Sequence, residues 1–584
     1  MIITRINWQR ILFCITIAVI YILSARIQFS TFMNVDSANA LDEARVLLHG
    51  GRFFHDIFET TPPLFLYLNF PLIYLIDKFK NVNFFFFFFI YYMAIYSILL
   101  IIANFFLKQI FTDEEFSRRY FFIVVAVLFL FVISETLFAQ REYTCFIFTL
   151  PYFLLFSLRL DDKVVNPWLV FLTSIFAAIG FSLKPHFCFP FIISEIYYFF
   201  HQKSFKKIIR IENTVIYFFV SFYALSTYLI YPEYFTHIIP LTYQFYYLGL
   251  RDAFINYKNI SIFVYYGALI LVFACIVRSD KNYSSVVKAF SIAIVGFIFT
   301  YFSGLVFWGY HIFQAIGFSI LLAVFLILKL FKFLEEKKFT VFIMLLLGFS
   351  FFILNVKDFS VVRVNVIQTV ILMVSVIIFV FFLVTSLFLK YYHTKTVRMA
   401  AVVFFAISIS IHPVILAFSM IVGQQKYSLA VLPIQRFLFE YVAHKKVYFL
   451  TSSLPMEYSS INYTDAIHVS RFPYLIWMPG YFYAMRNSNL SDAEKMNKLS
   501  LYFIDLLGKD LESKKPDYIL VESGKHISTP GFLVNDADYI KIFSQVSVFK
   551  NAFKNYRFFA KIQNGKTYTF TVYQRKNPRN SKSY

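Results

Sequence analysis

The sequence predicts an α-helical polytopic membrane protein with a small α/β domain at its C-terminal end, and three observations predict it. The 584 residues are 59% apolar and only 15% charged, whereas a soluble domain is nearer half apolar and a quarter charged. Apolar runs able to cross roughly 30 Å of hydrocarbon recur as far as residue 421. After residue 423 they stop, and short strand-like segments follow. The net charge of +21 fits Lys- and Arg-rich cytoplasmic loops. Basic residues scattered between apolar runs, rather than gathered on one domain, exclude a nucleic-acid-binding reading.

The spans fall near residues 11–29, 84–107, 120–138, 143–158, 165–183, 186–200, 213–231, 259–277, 286–306, 311–332, 339–354, 363–389 and 399–421, about 13 crossings at about 20 residues each. The first follows Arg5 and Arg10 but has no small-residue cleavage site, so it is expected to stay as an anchor. The run Phe84–Phe89 reads as a lipid-facing wall. Cys14, Cys145, Cys188 and Cys275 all lie in or beside apolar runs without metal-ligand spacing, and read as small buried hydrophobes.

Residues 62–79 are apolar enough to cross but contain Pro62, Pro63, Asn69 and Pro71. Parity decides between crossing and lying flat. If they lie at the interface, the basic loops Lys108/Arg118/Arg119, Lys203–Arg210 and Lys329–Lys338 all face the cytoplasm, as the positive-inside rule prefers. Residues 1–421 then form the membrane domain, with a first external loop at 32–83 and an interfacial helix at 62–79. The last crossing delivers 422–584 to the outer face, where Val447–Leu450, Tyr518–Val521 and Tyr568–Tyr573 read as strands and 491–507 as a helix.

The same parity places three polar junctions on the face of that first loop: Gln140-Arg141-Glu142, Lys184-Pro185-His186 and Trp308-Gly309-Tyr310-His311. The loop itself, NVDSANALDEARVLLHGGRFFHDIFETTPPLFLY, carries Asp36, Asp42, Glu43, Asp56 and Glu59. Ionisable groups at a membrane edge are costly enough to mark function by default. Each residue also has a plain structural reading. Asp36 could cap the helix that ends at Gly50-Gly51, Asp56 and Glu59 could be solvated loop charges, Lys184 could snorkel, and His311 could belong to an aromatic belt. Glu135 and Glu195 are further intramembrane carboxylates without an assigned partner. Tyr243, Tyr246, Tyr247 and Arg251 fall in an outer loop at 232–258.

The Asp just past the first span, the Gly-Gly break and "FFHDIFETTPPLFLYL" resemble the first external loop of membrane glycosyltransferases of the GT-C fold. These include protein O-mannosyltransferases and the aminoarabinose transferase of lipid A. The resemblance implies an inverting glycosyltransferase that takes a sugar from a polyprenyl-phosphate donor. The acceptor would be a cell-envelope glycan, lipid or protein on the outer face of a bacterial inner membrane. It implies Asp36 as the base that deprotonates the acceptor. It also implies that Asp56 and Glu59 bind the acceptor or, together with His311, a divalent cation. Related enzymes often carry Lys before the Pro pair, where this chain has Thr61, so the phosphate contacts fall to Arg141, Lys184, His186 and His311. The rival reading is a transporter or flippase of lipid-linked saccharides, which predicts charged positions in both halves of the membrane. No Walker loop, dinucleotide fingerprint or HExxH is present.

Overall fold

The computed structural model describes residues 8–30, 33–79, 83–111, 116–134, 137–204, 207, 209–250, 284–303, 309–334, 433–451, 459–464, 466–487, 490–523, 525–529, 532–535, 538–564 and 568–576. The spans expected at 259–277, 339–354, 363–389 and 399–421 lie outside the described residues, as do Cys275, Glu135, Arg251 and Trp308.

Within the described residues, each remaining expected span is helical. The helices are α1 Trp8–Ser30, α2 Val35–Leu48, α3 Leu64–Lys78, α4 Phe84–Ile110, α5 Phe116–Leu128, α6 Arg141–Leu160, α7 Pro167–Ser182, α8 Phe189–Gln202, α9 Ile211–Ile230 and α10 Ile239–Leu250. Two more follow, Ser284–Ser303 and Phe313–Leu334. Five of the helices are long and apolar enough to cross a membrane, which makes this an integral membrane protein. α3 has 15 residues, about 22 Å at 1.5 Å per residue.

α6 is the axis of the bundle. Apart from its first residue and Arg159, the whole helix is buried, and it packs against α4, α7 and the helices Ser284–Ser303 and Phe313–Leu334. Close approach is built in at Gly180 and Gly317, where a Cβ would come within 3 Å of Phe148 and of the Phe146 ring respectively. The expected lipid-facing wall is only half that. Phe86 is exposed, but Phe85, Phe88 and Phe89 are buried, because a helix turns half of any continuous apolar run toward its neighbours. The expected loop at 232–258 is corrected over residues 234–250, while 251–258 lie outside the described residues. A π-helical turn at Tyr234–Ile238 leads directly into α10, which carries Tyr243 exposed on its surface.

The C-terminal part is an α/β unit. Strands β1 Lys446–Leu450, β2 Ile467–His468, β3 Tyr518–Ser523, β4 Lys525–Thr529, β5 Phe532–Asn535, β6 Tyr556–Asn564 and β7 Tyr568–Arg575 contain all three strands read from the sequence. One sheet runs β2-β1-β3-β7-β6, with β2, β1 and β3 parallel and β7 and β6 antiparallel. The helix expected at 491–507 spans Leu490–Lys514 and buries Met496, Phe503, Ile504 and Leu507. The sheet unit is joined to the acidic loop. Asn462 donates to the Ala38 carbonyl at 3.1 Å, and the Met33 N–H donates to the Tyr463 hydroxyl at 3.3 Å.

Candidate active site

α2 sets the position of the first carboxylate. Its N-cap is Asn34, whose Oδ1 accepts from the N–H groups of Asp36 and Ser37 at 2.9 and 3.3 Å. The capping reading of Asp36 is thereby corrected, since a neighbour does that work. The Asp36 side chain is left for a tertiary contact, and its Oδ2 accepts from the Gln140 amide across the bundle. Gln140 can supply that amide because it stands just before α6 and caps nothing with its own side chain. α2 ends at the C-cap His49, followed by Gly50 at φ +88°, a left-handed position that favours glycine.

The second carboxylate arrives on the loop that follows. Glu59 is 6% exposed, and its Oε1 accepts from the N–H and hydroxyl of Thr61 at 2.7 and 2.8 Å. The Arg141 guanidinium pairs with the same oxygen at 3.1 Å and also donates to the Thr61 hydroxyl. Thr61, where a lysine was looked for, therefore works as a bracket for an arginine from another helix. Burial alone would raise the Glu59 pKa, but Arg141 and the Thr61 donors bring it down to about 2.

Glu43 is the neighbour that sequence reasoning passed over. It stands seven residues, two turns, after Asp36 and so shares its face of α2. Its buried carboxyl meets Glu59, and burial together with the Glu59 charge raises its pKa well above the ordinary carboxylate value. Of the two carboxyls, Glu43 is the one that favours holding a proton and Glu59 the one that favours its charge. The i, i+7 spacing was the available signal.

The third group lies one residue further along α6. Glu142 pairs with Lys184, and His311 Nε2 stands 3.5 Å from both the Glu142 carboxylate and the Lys184 ammonium. Lys184 is 7% exposed, so it does not snorkel. It lies at the turn between α7 and a 3-10 segment at Pro185–Cys188, which points it inward. His186 in that segment is half-buried and within electrostatic reach of Lys184 and Glu142. The electrostatics link the groups: Arg141, Glu142 and Lys184 all act on Asp36. Tyr310 senses Asp36, Glu142, Arg141 and Tyr474 of the C-terminal unit. Burial, more than any of these charges, pushes the Asp36 pKa above its usual value.

The structure thus brings together Asp36, Glu59, Arg141, Lys184 and His311, with His186 at the edge. Asp56 is turned away. Its carboxylate accepts from the Arg52 N–H within its own turn at 3.0 Å and faces Arg471 and Lys514 of the C-terminal unit. Asp56, Glu59 and His311 do not form a metal-ligand group among the described residues. Glu195, which lacked a partner in the sequence, pairs with Arg210 at 2.6 Å and bonds Asn213 and Tyr152. Arg159 and Arg210 share Glu212 beside it, at 2.9 and 3.0 Å. This second cluster sits at the far end of α6, about 27 Å from Arg141.

Fold and site define a class: an integral membrane protein whose chain-distant polar junctions meet in one buried cluster of carboxylates and cations. Solved structures similar to it include two of ArnT from Cupriavidus metallidurans, one bound to undecaprenyl phosphate and one in the apo state. The chain is 12% identical to the first with a TM-score of 0.45, and 11% identical to the second with a TM-score of 0.47. In each case 97% of this chain and 98% of that chain are covered. No protein-family model and no curated protein matches the sequence. At those values the likeness bears no weight, and the functional reading rests on the side chains.

Proposed function

We propose that the protein is an inverting glycosyltransferase of the GT-C type that uses a polyprenyl-phosphate-linked sugar. The acceptor is a cell-envelope glycan, lipid or protein, met on the outer face of a bacterial inner membrane. One observation carries this: Asp36 is held by an amide rather than by a cation among the described residues, yet stands beside two cations contributed by separate junctions. A general base must accept a proton readily near neutral pH, and burial raises the Asp36 pKa in that direction.

In the proposed reaction the acceptor hydroxyl oxygen bonds to the anomeric carbon while the bond from that carbon to the phosphate oxygen breaks. The hydroxyl proton passes to Asp36, and the electron pair leaves with the phosphate. Arg141 offers a planar fork and Lys184 a point charge for that oxygen. Three carboxylates, Asp36, Glu59 and Glu142, face these two cations. An arriving phosphate therefore calls for further donors beside the two cations, and the imidazole N–H groups of His311 and His186 supply them. Glu59 orients Arg141, Asp56 supports the loop, and no step is assigned to a metal ion.

The transporter reading gains one observation, the second charged cluster at the other end of α6. There, however, each arginine is matched to a glutamate, and among the described residues the cluster presents no spare charge to a substrate. The deciding experiment is Asp36→Asn in membranes supplied with a radiolabelled undecaprenyl-phosphate sugar. Transfer should fall by about 10²–10⁴ while undecaprenyl phosphate still binds. Unchanged transfer removes Asp36 as the base.

A further inference from the structure

Arg471, in the segment Ser470–Trp477 of the C-terminal unit, lies more than four hundred residues from the acidic loop and is welded to it. Its Nη1 donates to the Phe54 carbonyl at 3.0 Å, and its own carbonyl accepts from the Phe58 N–H at 2.8 Å. Its guanidinium forks onto Asp510, Nη2 to Oδ1 at 2.7 Å and Nε to Oδ2 at 3.0 Å, and its N–H donates to Asp510 Oδ2 at 3.1 Å. Asp510 is 1% exposed and projects from the long helix Leu490–Lys514. Beside this contact the Phe58 ring packs on Phe472 and Phe503, with centroids 5.1 and 5.7 Å apart.

Phe58 is the residue before Glu59. Phe54 has φ +66°, a left-handed conformation that an aromatic residue adopts only when its surroundings hold it there. A loop in that state needs an outside partner, and Arg471 supplies two of its hydrogen bonds.

We propose that Arg471, braced by Asp510, is a positioning residue: it holds residues 54–58 so that Glu59 and Thr61 present Arg141 to the donor phosphate. The C-terminal unit thereby becomes part of the phosphate site without touching the lipid. This rests on the assignment of Arg141 to a phosphate. A shift of about 1 Å in a supporting loop is enough to lose on the order of 100-fold in a reaction that depends on placement.

The test uses the full-length protein in nanodiscs as wild type, Arg471→Ala, Arg471→Lys and Asp510→Asn. Two readouts are taken: hydrogen exchange of the amides at 54–61, and affinity for undecaprenyl phosphate. In Arg471→Ala, exchange at 54–61 should rise while strands β1 and β3 stay protected, and undecaprenyl phosphate affinity should fall about 10-fold or more. Lysine keeps a donor for the Phe54 carbonyl but loses the fork, so it should restore part of both. Asp510→Asn, which keeps Arg471 but weakens its brace, should fall between. Faster exchange with unchanged affinity overturns the proposal, as does exchange that rises through the whole C-terminal unit. If wild type binds undecaprenyl phosphate but transfers no sugar, the transferase reading fails while the positioning role is still decided by these variants.

Discussion

The Arg141–Glu59 pair lends itself to a double-mutant cycle whose size can be worked from the structure. The side chains are 13% and 6% exposed and meet at 3.1 Å, so solvent screens them little. The site holds Glu59 at about 2 against an ordinary 4.5, which at about 1.4 kcal/mol per unit is roughly 3 kcal/mol of preference for the ionised form. Arg141→Gln forfeits the largest part of that preference and leaves the buried carboxylate without a cation, held only by the Glu43 and Thr61 hydrogen bonds, so a loss of about 3 kcal/mol is expected. Glu59→Gln should cost less, about 1–2 kcal/mol, because Arg141 keeps the Asp36 and Glu142 charges and the Thr61 hydroxyl. The double variant should recover about 2–3 kcal/mol relative to the sum of the two single losses. Unfolding in mixed detergent micelles, followed by tryptophan fluorescence, measures all four proteins. Losses that add to within about 0.5 kcal/mol would show that the two side chains do not share a buried pair, and Arg141 would then have to be placed elsewhere.

Glu43→Gln should flatten the pH dependence of stability. A carboxyl whose pKa is raised on folding stabilises fully below its unfolded value, and that contribution is lost as pH rises through the folded value. Wild type should therefore lose melting temperature as pH rises above the ordinary carboxylate range more steeply than the variant; parallel curves would show that Glu43 carries no raised pKa. Glu59 runs the other way, with its contribution present above about 4.5 and lost as pH falls toward about 2, so the two are separable by pH window. Asn34→Ala removes the cap of α2 and should cost about 1 kcal/mol. It should also reduce transfer, because the same turn aims Asp36; an activity equal to wild type would show that the cap does not set the carboxylate's position.

How far the sequence reached depends on the range over which each signal acts. Periodicity and apolar length are local, so the helix from Trp8 to Ser30, the long helix starting at Phe84 and α6 are found within a few residues of the expected spans. The meeting of Arg141, Lys184 and His311 follows from something coarser. Charged residues at apolar helix ends must share a face if parity is right, and so can satisfy one another. Contacts between single side chains have no such signature. Nothing in "SRFPYLIW" marks Arg471 as the anchor of a loop at residue 54, since the pairing depends on how segments more than four hundred residues apart dock. The sequence places the cap of α2 two residues late, at Asp36, because it does not mark the first turn; α2 starts at Val35, which makes Asn34 the cap. Asp56 and Glu59 look alike in sequence, yet the turn between them sends one toward Arg471 and the other toward Arg141.

The two ends of α6 show why one charged cluster reads as a site and the other as a clamp. At the end near Arg159 two arginines face two glutamates, the pairs are completed by Asn213 and Tyr152, and Arg210 lies over the Tyr198 ring at 3.8 Å. Burial of such a set is tolerable because every charge has its complement. At the other end Glu59 and Glu142 consume Arg141 and Lys184, and Asp36 remains with an amide for company. A protein that needed only a clamp would gain by replacing that spare carboxylate, since an uncompensated buried charge costs several kcal/mol. Keeping it makes sense where a proton has to be received, next to cations that can loosen from their own carboxylates when a phosphate arrives.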